Sequence, residues 1–554
     1  MRALAFFLVA TAAFAQPGDG PKFIVADLHP NPHSSIPAVR GPFFGDGRYE
    51  MRFATLVDLI HTAYGVDSER IYGGPSWVEY DRYDVIAIAP KGSTAESRKL
   101  MLQSLLADRF GLKLHSDSKP LPAYKLTAAK NNKLQEPSGS ESHCDFKIER
   151  RPEGPPITNS EGKQEIEMPI LSYSCKGTTM AAFANTLTTA PAVNLDNKMV
   201  VDQTDLPGSF DFTLRYTPNF QLPPGMTIKG DSMPIFDALE KQLGLKLELT
   251  TAPLPVITLD AANEKPTENS PEAAKSFPPE PTEFDVAEIK PSPGGAQGRG
   301  GQPEIKNGRV IVPGITLQSL AQLAWDLAPN QDIVGAPKWL NQDRFDLIAK
   351  APDGVALGDL TPTNNRSFPI NLDALRPMIR SLLMQRFKMQ VHMEDRPTST
   401  YVLTAVKPKL LKADANGRTK WTEGPAADGK DPRKSNPVLG RLVTCHNMSM
   451  AQFAKLLQEI APGYIRNDVI DATGLEGNWD FTFNFSAAGQ GQGGGGRGDG
   501  PAGTPGGADS ASDPTGALSL LDALPKQLGL KLDMQKRPLP VLVVDHVEQK
   551  PTDN

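Results

Sequence analysis

Gly73-Gly-Pro-Ser-Trp77-Val-Glu-Tyr-Asp81-Arg82-Tyr83-Asp84 returns later in the chain as Gly335-Ala-Pro-Lys-Trp339-Leu-Asn-Gln-Asp343-Arg344-Phe345-Asp346. The shared pattern is G-x-P-x-W-x-x-x-D-R-[YF]-D. Moving outward from it, Phe23-Ile-Val-Ala26 returns as Phe284-Asp-Val-Ala287, and the Val201–Gly208 stretch VDQTDLPG returns as Ile470–Gly477, IDATGLEG. Residues 236–260 align with 521–545 and are identical at 15 of 25 positions. Matches in the same order over this length read as a tandem duplication, with a first copy over 23–260 and a second over 284–547.

Each copy is itself doubled more faintly. Residues 106–126 and 239–259 both carry GLKL followed by PLP at one spacing. An aromatic–Asp pair occurs four times, as Tyr83-Asp84, Phe210-Asp211, Phe345-Asp346 and Trp479-Asp480. The reading is four half-units: 23–130, 166–260, 284–406 and 438–547.

The half-unit has a legible local structure. Phe53, Leu56, Val57, Ile60 and Tyr64 form one apolar helical stripe with Gly65 as its stop. Met450, Phe453, Leu456, Leu457 and Ile460 repeat it, with Ser449 as N-cap. Strands are predicted over 83–89 and 210–216, rich in aromatic and β-branched residues. A second helix ends at Gly111, Gly244 and Gly529, which suit the left-handed position after a helix. Two short strands, such as 245–249 and 256–260, should close the unit across a Pro-containing loop. The fold class is therefore α+β, each half-unit a small sandwich of helices on one face of a sheet.

Residues 261–283, rich in Pro, Glu and Ala, are expected to form an extended, solvated linker between the copies. Residues 291–303 are Gly-rich. Residues 486–514 are a Gly/Ala/Ser insertion too poor in apolar residues to fold, and so a disordered excursion within copy two.

The N-terminus reads as an address. Arg2 precedes an uncharged, mostly apolar run over 3–14, and Ala13-Phe14-Ala15 is a small-x-small site before Gln16. This predicts a signal peptide over 1–15, cleaved between Ala15 and Gln16, and a secreted or periplasmic mature chain. The run is too short to span about 30 Å of hydrocarbon as a helix, and no later stretch is long enough either. In an oxidising compartment Cys144 and Cys175 could form a disulfide; two free thiols are the alternative. Cys445, left over, is expected to be buried.

Composition excludes several classes. Of 554 residues, 39% are hydrophobic and 22% charged, which allows packed cores. A net charge of −6 lacks the concentrated basic footprint of nucleic-acid binding. Three cysteines exclude a disulfide-dense scaffold or an iron–sulfur protein. The eight histidines show no zinc-like spacing: His29 and His33 sit in a predicted loop, and only His115 and His392 are equivalent. There is no G-x-S-x-G elbow and no H-E-x-x-H. Ser116-Asp-Ser-Lys119 matches S-x-x-K but sits in a predicted turn and does not recur. Gly489-x-Gly491-x-x-Gly494 and Arg497-Gly-Asp499 fall in low complexity. No catalytic, cofactor or metal residue is assigned. The D-R-[YF]-D motif, Asp81, Arg82 and Asp84 or Asp343, Arg344 and Asp346, could hold a charged ligand. Because its aromatic–Asp half recurs without the Arg, a structural role is favoured. Trp77 and Trp339 are candidate binding or core residues.

With these motifs in view, the chain resembles a family of paralogous secreted proteins of unknown function in soil Acidobacteria. That family's pattern stands here at residues 284–292 (FDVAEIKPS), 55–59, 73–77, 81–84, 105–115, 469–477 and 528–532. The resemblance covers nearly the whole mature chain in two tandem copies. It implies a possible sensory context, since related domains occur with antibiotic-sensor-type (BlaR-like) membrane metallopeptidases. A weaker likeness is to the small N-terminal domains of secretins and TonB-dependent receptors, which are docking modules. The function expected is a non-catalytic exported binding or docking protein with an envelope or extracellular protein as partner. The alternative is a cell-wall or peptide hydrolase with an unfamiliar site.

Overall fold

The computed structural model describes residues 20–552 apart from 32–37, 140, 150–156, 159–163, 167, 189, 191–194, 196–197, 219–225, 229–231, 272, 278, 294–302, 328–330, 332, 359–369, 414–417, 425–430, 435–438, 466 and 489–517. The signal segment, His33, the Gly489 and Arg497 motifs and nearly all of the 486–514 insertion lie outside the described residues. The fold is α+β, built from many small sheets with helices packed on them. The chain divides into two compact bodies: residues 1–116 with 257–554, and residues 117–256. Among the described residues no helix is long and apolar enough to cross a membrane.

Body one holds three modules of one design. In the first, strands Val25–Pro30, Tyr83–Ile88, Arg48–Ala54 and Arg40–Gly45 lie in that spatial order, all antiparallel. Helices Leu56–Tyr64 and Ala95–Phe110 bury Leu56, Leu59, Ile60, Leu102, Leu106 and Phe110 against Tyr83, Val85 and Ala87. The second copy repeats the order with Val286–Pro291, Arg344–Lys350, Arg309–Thr316 and Glu304–Lys306, and helices Leu317–Ala324 and Leu372–Arg386. Its other module orders Leu411–Lys412, Asn478–Phe485, Arg441–Ser449 and Lys420–Glu423. Helices Met450–Ile460 and Leu520–Ala523 pack on that sheet. Body two carries the remaining module, with strands Ser209–Tyr216, Ile170–Thr179 and His143–Glu149 and helices Met180–Thr188 and Ile235–Ala238.

Local chemistry sets the helix ends. Thr55 caps the first helix in a reciprocal box with Asp58, and Ser449 does the same with Gln452. Gly111, Gly244 and Gly529 stand at positive φ after the second helices. The first helix begins at Leu56. Phe53, expected on its stripe, is instead a strand residue at φ 53°.

Two expectations differ from the structure. Residues 245–249 and 256–260 are not separate strands but parts of one, Leu245–Ala261; its counterpart Leu530–His546 runs antiparallel to Gln390–Ala405. The prolines of the PLP motif do not break the strand. Two residues apart, their missing N–H groups fall on one side, and Pro538 stands opposite Pro397. Residues 261–283, though mostly exposed where described, are not a free connector either. Asn263 N–H donates to the Phe110 carbonyl, Thr267 N–H to the Arg109 carbonyl, and Tyr83 Oη to the Glu264 carbonyl. Ala273, in the one-turn helix Ala273–Ser276, is 1% exposed. This segment is a strap fastened to the first module, held by backbone bonds that composition does not reveal.

Candidate functional site

The D-R-[YF]-D motif was the most specific polar pattern in the sequence. In all four modules the strand leading into the first helix carries a bulge, at Met51/Ala54, Cys175/Thr178, Val312/Ile315 and Cys445/Met448. Each bulge contains a residue in the left-handed region: Phe53, Gly177, Gly314 and Asn447 at φ 53°, 52°, 64° and 49°. Their N–H groups donate to Asp84, Asp211, Asp346 and Asp480 at 2.8, 2.7, 2.8 and 2.6 Å. In the first module of each copy the motif's Arg takes the same residue's carbonyl. Arg82 donates to Phe53 O at 3.2 Å, and Arg344 to Gly314 O at 2.7 Å. Arg and Asp thus clamp one peptide residue from both ends, two residues before the helix N-cap. The aromatic of the motif faces the core, where Tyr83 meets Phe110 edge-on at 5.0 Å and Phe345 meets Phe387 at 5.2 Å.

The rest of the pattern is also structural. Gly73 and Gly335, at φ 71° and 72°, approach the last strand so closely that a Cβ would stand 2.7 Å from Leu259 O and 2.8 Å from Val544 O. Trp77 stacks on Phe110 at 6.4 Å, and Trp339 packs on its module's core. Asp81 faces Glu264, and burial followed by that carboxyl's charge and hydrogen bond pushes its pKa up. At the equivalent place Asp343 accepts from Gln549 Nε2 at 2.7 Å.

A charge cluster joins the leading modules of the two copies. Arg40, 1% exposed, donates from Nε to Asp373 Oδ2 at 2.8 Å. Asp373 also accepts from Arg376 at 2.7 Å, and Arg376 pairs with Asp326. Arg52 reaches Asp84 at 3.2 Å, Glu50 at 3.5 Å and Glu280 of the strap at 3.0 Å. Arg48 joins Glu50 and Glu280. Burial alone would raise the Asp373 carboxyl, but Arg40, Arg376 and Arg52 outweigh it and hold the pKa below the ordinary range. Arg48, Arg52 and Arg376 each answer two or more anions, so the cluster coheres. Elsewhere in body one, Arg418 pairs with Glu79, and Tyr80 packs on the core that holds Cys445. Burial pushes the Cys445 thiol up, far from a reactive thiolate.

His115 and His392 meet Asp260 and Asp545 through Nδ1 at 2.9 Å, the same cross-strand pair in each copy. No signal in the sequence had joined these partners. Both rings are about half exposed on long strands. Ser116 and Lys119 lie inside the strand Lys113–Ala128, not in the predicted turn; three residues apart, they project to opposite faces and cannot act together. His29 bonds Asp27 at 3.1 Å. Among the described residues no three His, Cys, Asp or Glu are grouped to hold a metal ion. Cys144 and Cys175 are opposite residues of paired strands in body two, joined by a disulfide with Cα atoms 4.0 Å apart.

The fold and these contacts define a duplicated α+β protein in which Asp84, Asp346, Arg82 and Arg344 are bonded to its own backbone. Residues 57–262 and 318–547 each match the family described as Protein of unknown function (DUF3738), and the chain belongs to that family, holding two copies of its domain. No curated protein and no solved structure matches the chain.

Proposed function

We propose that the protein is an exported, non-catalytic binding or docking module that acts in the cell envelope or outside it. The observation that carries this reading is the use of the D-R-[YF]-D groups. Asp84, Asp346, Arg82 and Arg344 are consumed by the bulge that starts each first helix, so what repeats is scaffold. The Cys144–Cys175 bridge supports an oxidising compartment, in keeping with a signal peptide cleaved after Ala15. The same reading places the chain in the acidobacterial secreted family and in a sensory context.

The hydrolase alternative rests on the two His–Asp pairs, which recur at equivalent positions of the two copies. Two half-exposed rings without a nucleophile bonded to them suit a surface ion pair better than an acid–base dyad. The test is quantitative crosslinking of the tagged full chain in envelope extracts, beside assays on peptidoglycan and peptide substrates. A saturable, stoichiometric partner and no turnover is the result expected. Turnover abolished by combining His115→Ala with His392→Ala would overturn the reading.

A further inference from the structure

The strap shows how the first module's sheet is recognised by an extended segment. Asn269 Oδ1 accepts from the Leu28 N–H at 3.0 Å and from Arg109 at 2.6 Å, while its amide donates to Asp27. Further along, Phe277 lies under the Arg48 guanidinium at 5.7 Å, and Glu280 pairs with Arg48 and Arg52. The strap therefore crosses the sheet face opposite the helices, on which Ile86 is only 8% exposed.

Copy two has the same receptor with no strap on it among the described residues. Glu288, Ile289 and Arg386 occupy the positions of Asp27, Leu28 and Arg109. The start of a strap is present too, since Glu548 N–H donates to Phe387 O and Thr552 N–H to Arg386 O, the counterparts of the Asn263 and Thr267 bonds. Among the described residues strand Val286–Pro291 is the edge of its sheet, bonded on one side to Arg344–Lys350. The face has also changed chemistry. Glu50 and Arg52 are replaced by Ile311 and Pro313, and Ile311 pairs directly with Ile348. Val286 is 66% exposed and Ile348 half-buried. Arg309, the counterpart of Arg48, is exposed.

We propose that this face of copy two, from the Val286–Pro291 edge across Ile348 and Ile311 to Arg309, is the docking surface for a partner's extended, Pro-rich peptide. That peptide carries an Asn for the Glu288/Ile289 edge, an apolar anchor for the isoleucines and a carboxylate for Arg309. This names the partner chemistry of the docking reading and rests on it. A partner peptide is the occupant because this chain's own strap is held on copy one at high effective concentration, and so is not free to serve a second copy.

The test titrates a fluorescent peptide with the sequence of residues 266–281 into the full chain and reads anisotropy. Saturable one-to-one binding is expected, weakened at least about tenfold by N269A or F277A in the peptide. Glu288→Arg in the protein should do the same while Asp27→Arg does not, with Val286→Lys as a second edge variant and thermal melts confirming folding. Absence of saturable binding overturns the proposal. So does binding that survives Glu288→Arg and is lost on Asp27→Arg, which would be strap exchange on copy one. Concentration-dependent dimers competing with the peptide overturn it as well, making a second copy the occupant. If crosslinking still yields a stoichiometric partner when the peptide fails, only this inference falls.

Discussion

The leading modules of the two copies share strand order, bulge, the Thr N-cap of the first helix and aromatic contacts, yet their open faces are chemically unlike. Copy one sets Glu50 and Arg52 there, ties them to Arg48, Asp84 and Glu280, and covers the sheet with a strap. Copy two sets Ile311 and Pro313 on the same strand and leaves Val286 exposed. Duplication kept what the backbone needs and released what it does not. The divergent surface is therefore a better guide to recognition than the repeated motif.

The sharpest way to break this comparison is to remove its buried charge. Arg40→Ala removes a buried guanidinium and leaves Asp373 with Arg376 as its bonded cation, and should cost body one about 3 kcal/mol. Arg309→Ala, at an exposed position of copy two, should stay within about 0.5 kcal/mol. Native-state hydrogen exchange resolves both; equal effects would mean the buried cluster contributes no more than an exposed charge. Next in size, reducing the Cys144–Cys175 bridge should cost body two about 3 kcal/mol and leave body one unchanged, as exchange with and without reductant will show.

Asp84→Ala loses a buried acceptor serving Phe53 N–H, Asn31 and Arg52, and should cost about 2–3 kcal/mol. Asp346→Ala, with fewer partners, should cost about 1 kcal/mol by urea unfolding. Acid adds a test with a defined sign. The folded pKa of Asp373 lies below 3.8, so its contribution is complete above about pH 4 and is lost as pH falls through the folded value. Asp373→Asn should flatten that acid limb of the stability curve. Smallest is Glu264→Gln, which gives copy one the amide that copy two has at Gln549. Asp81 has its pKa raised above 3.8, so the wild-type contact is firmest in acid and weakens as pH rises through the folded value. The variant should raise exchange protection at residues 263–267 at neutral pH about two- to threefold, and should make it insensitive to acid.

Much of the architecture was legible because it rests on short-range rules. Ser449 marked a helix start, Gly111, Gly244 and Gly529 marked helix ends, and the recurrence of aromatic–Asp pairs counted the modules. The helix start at Phe53 was misread, since apolar spacing continues through the bulge and only the Asp84 bond shows that the residue belongs to the strand. The strap was misread for a related reason: a Pro- and Glu-rich composition looks like a free connector until Asn269 and Glu280 find partners more than two hundred residues away.

The order of residues alone determined the duplication, the α+β class and the structural weight of D-R-[YF]-D, because repeats, caps and turns are governed by neighbours in the chain. Only the tertiary structure decided which charges meet, which His finds which Asp, and which of two equivalent faces is covered. Those outcomes depend on side chains brought within a few ångströms by folding, and burial makes their pairing matter far more than it would in water.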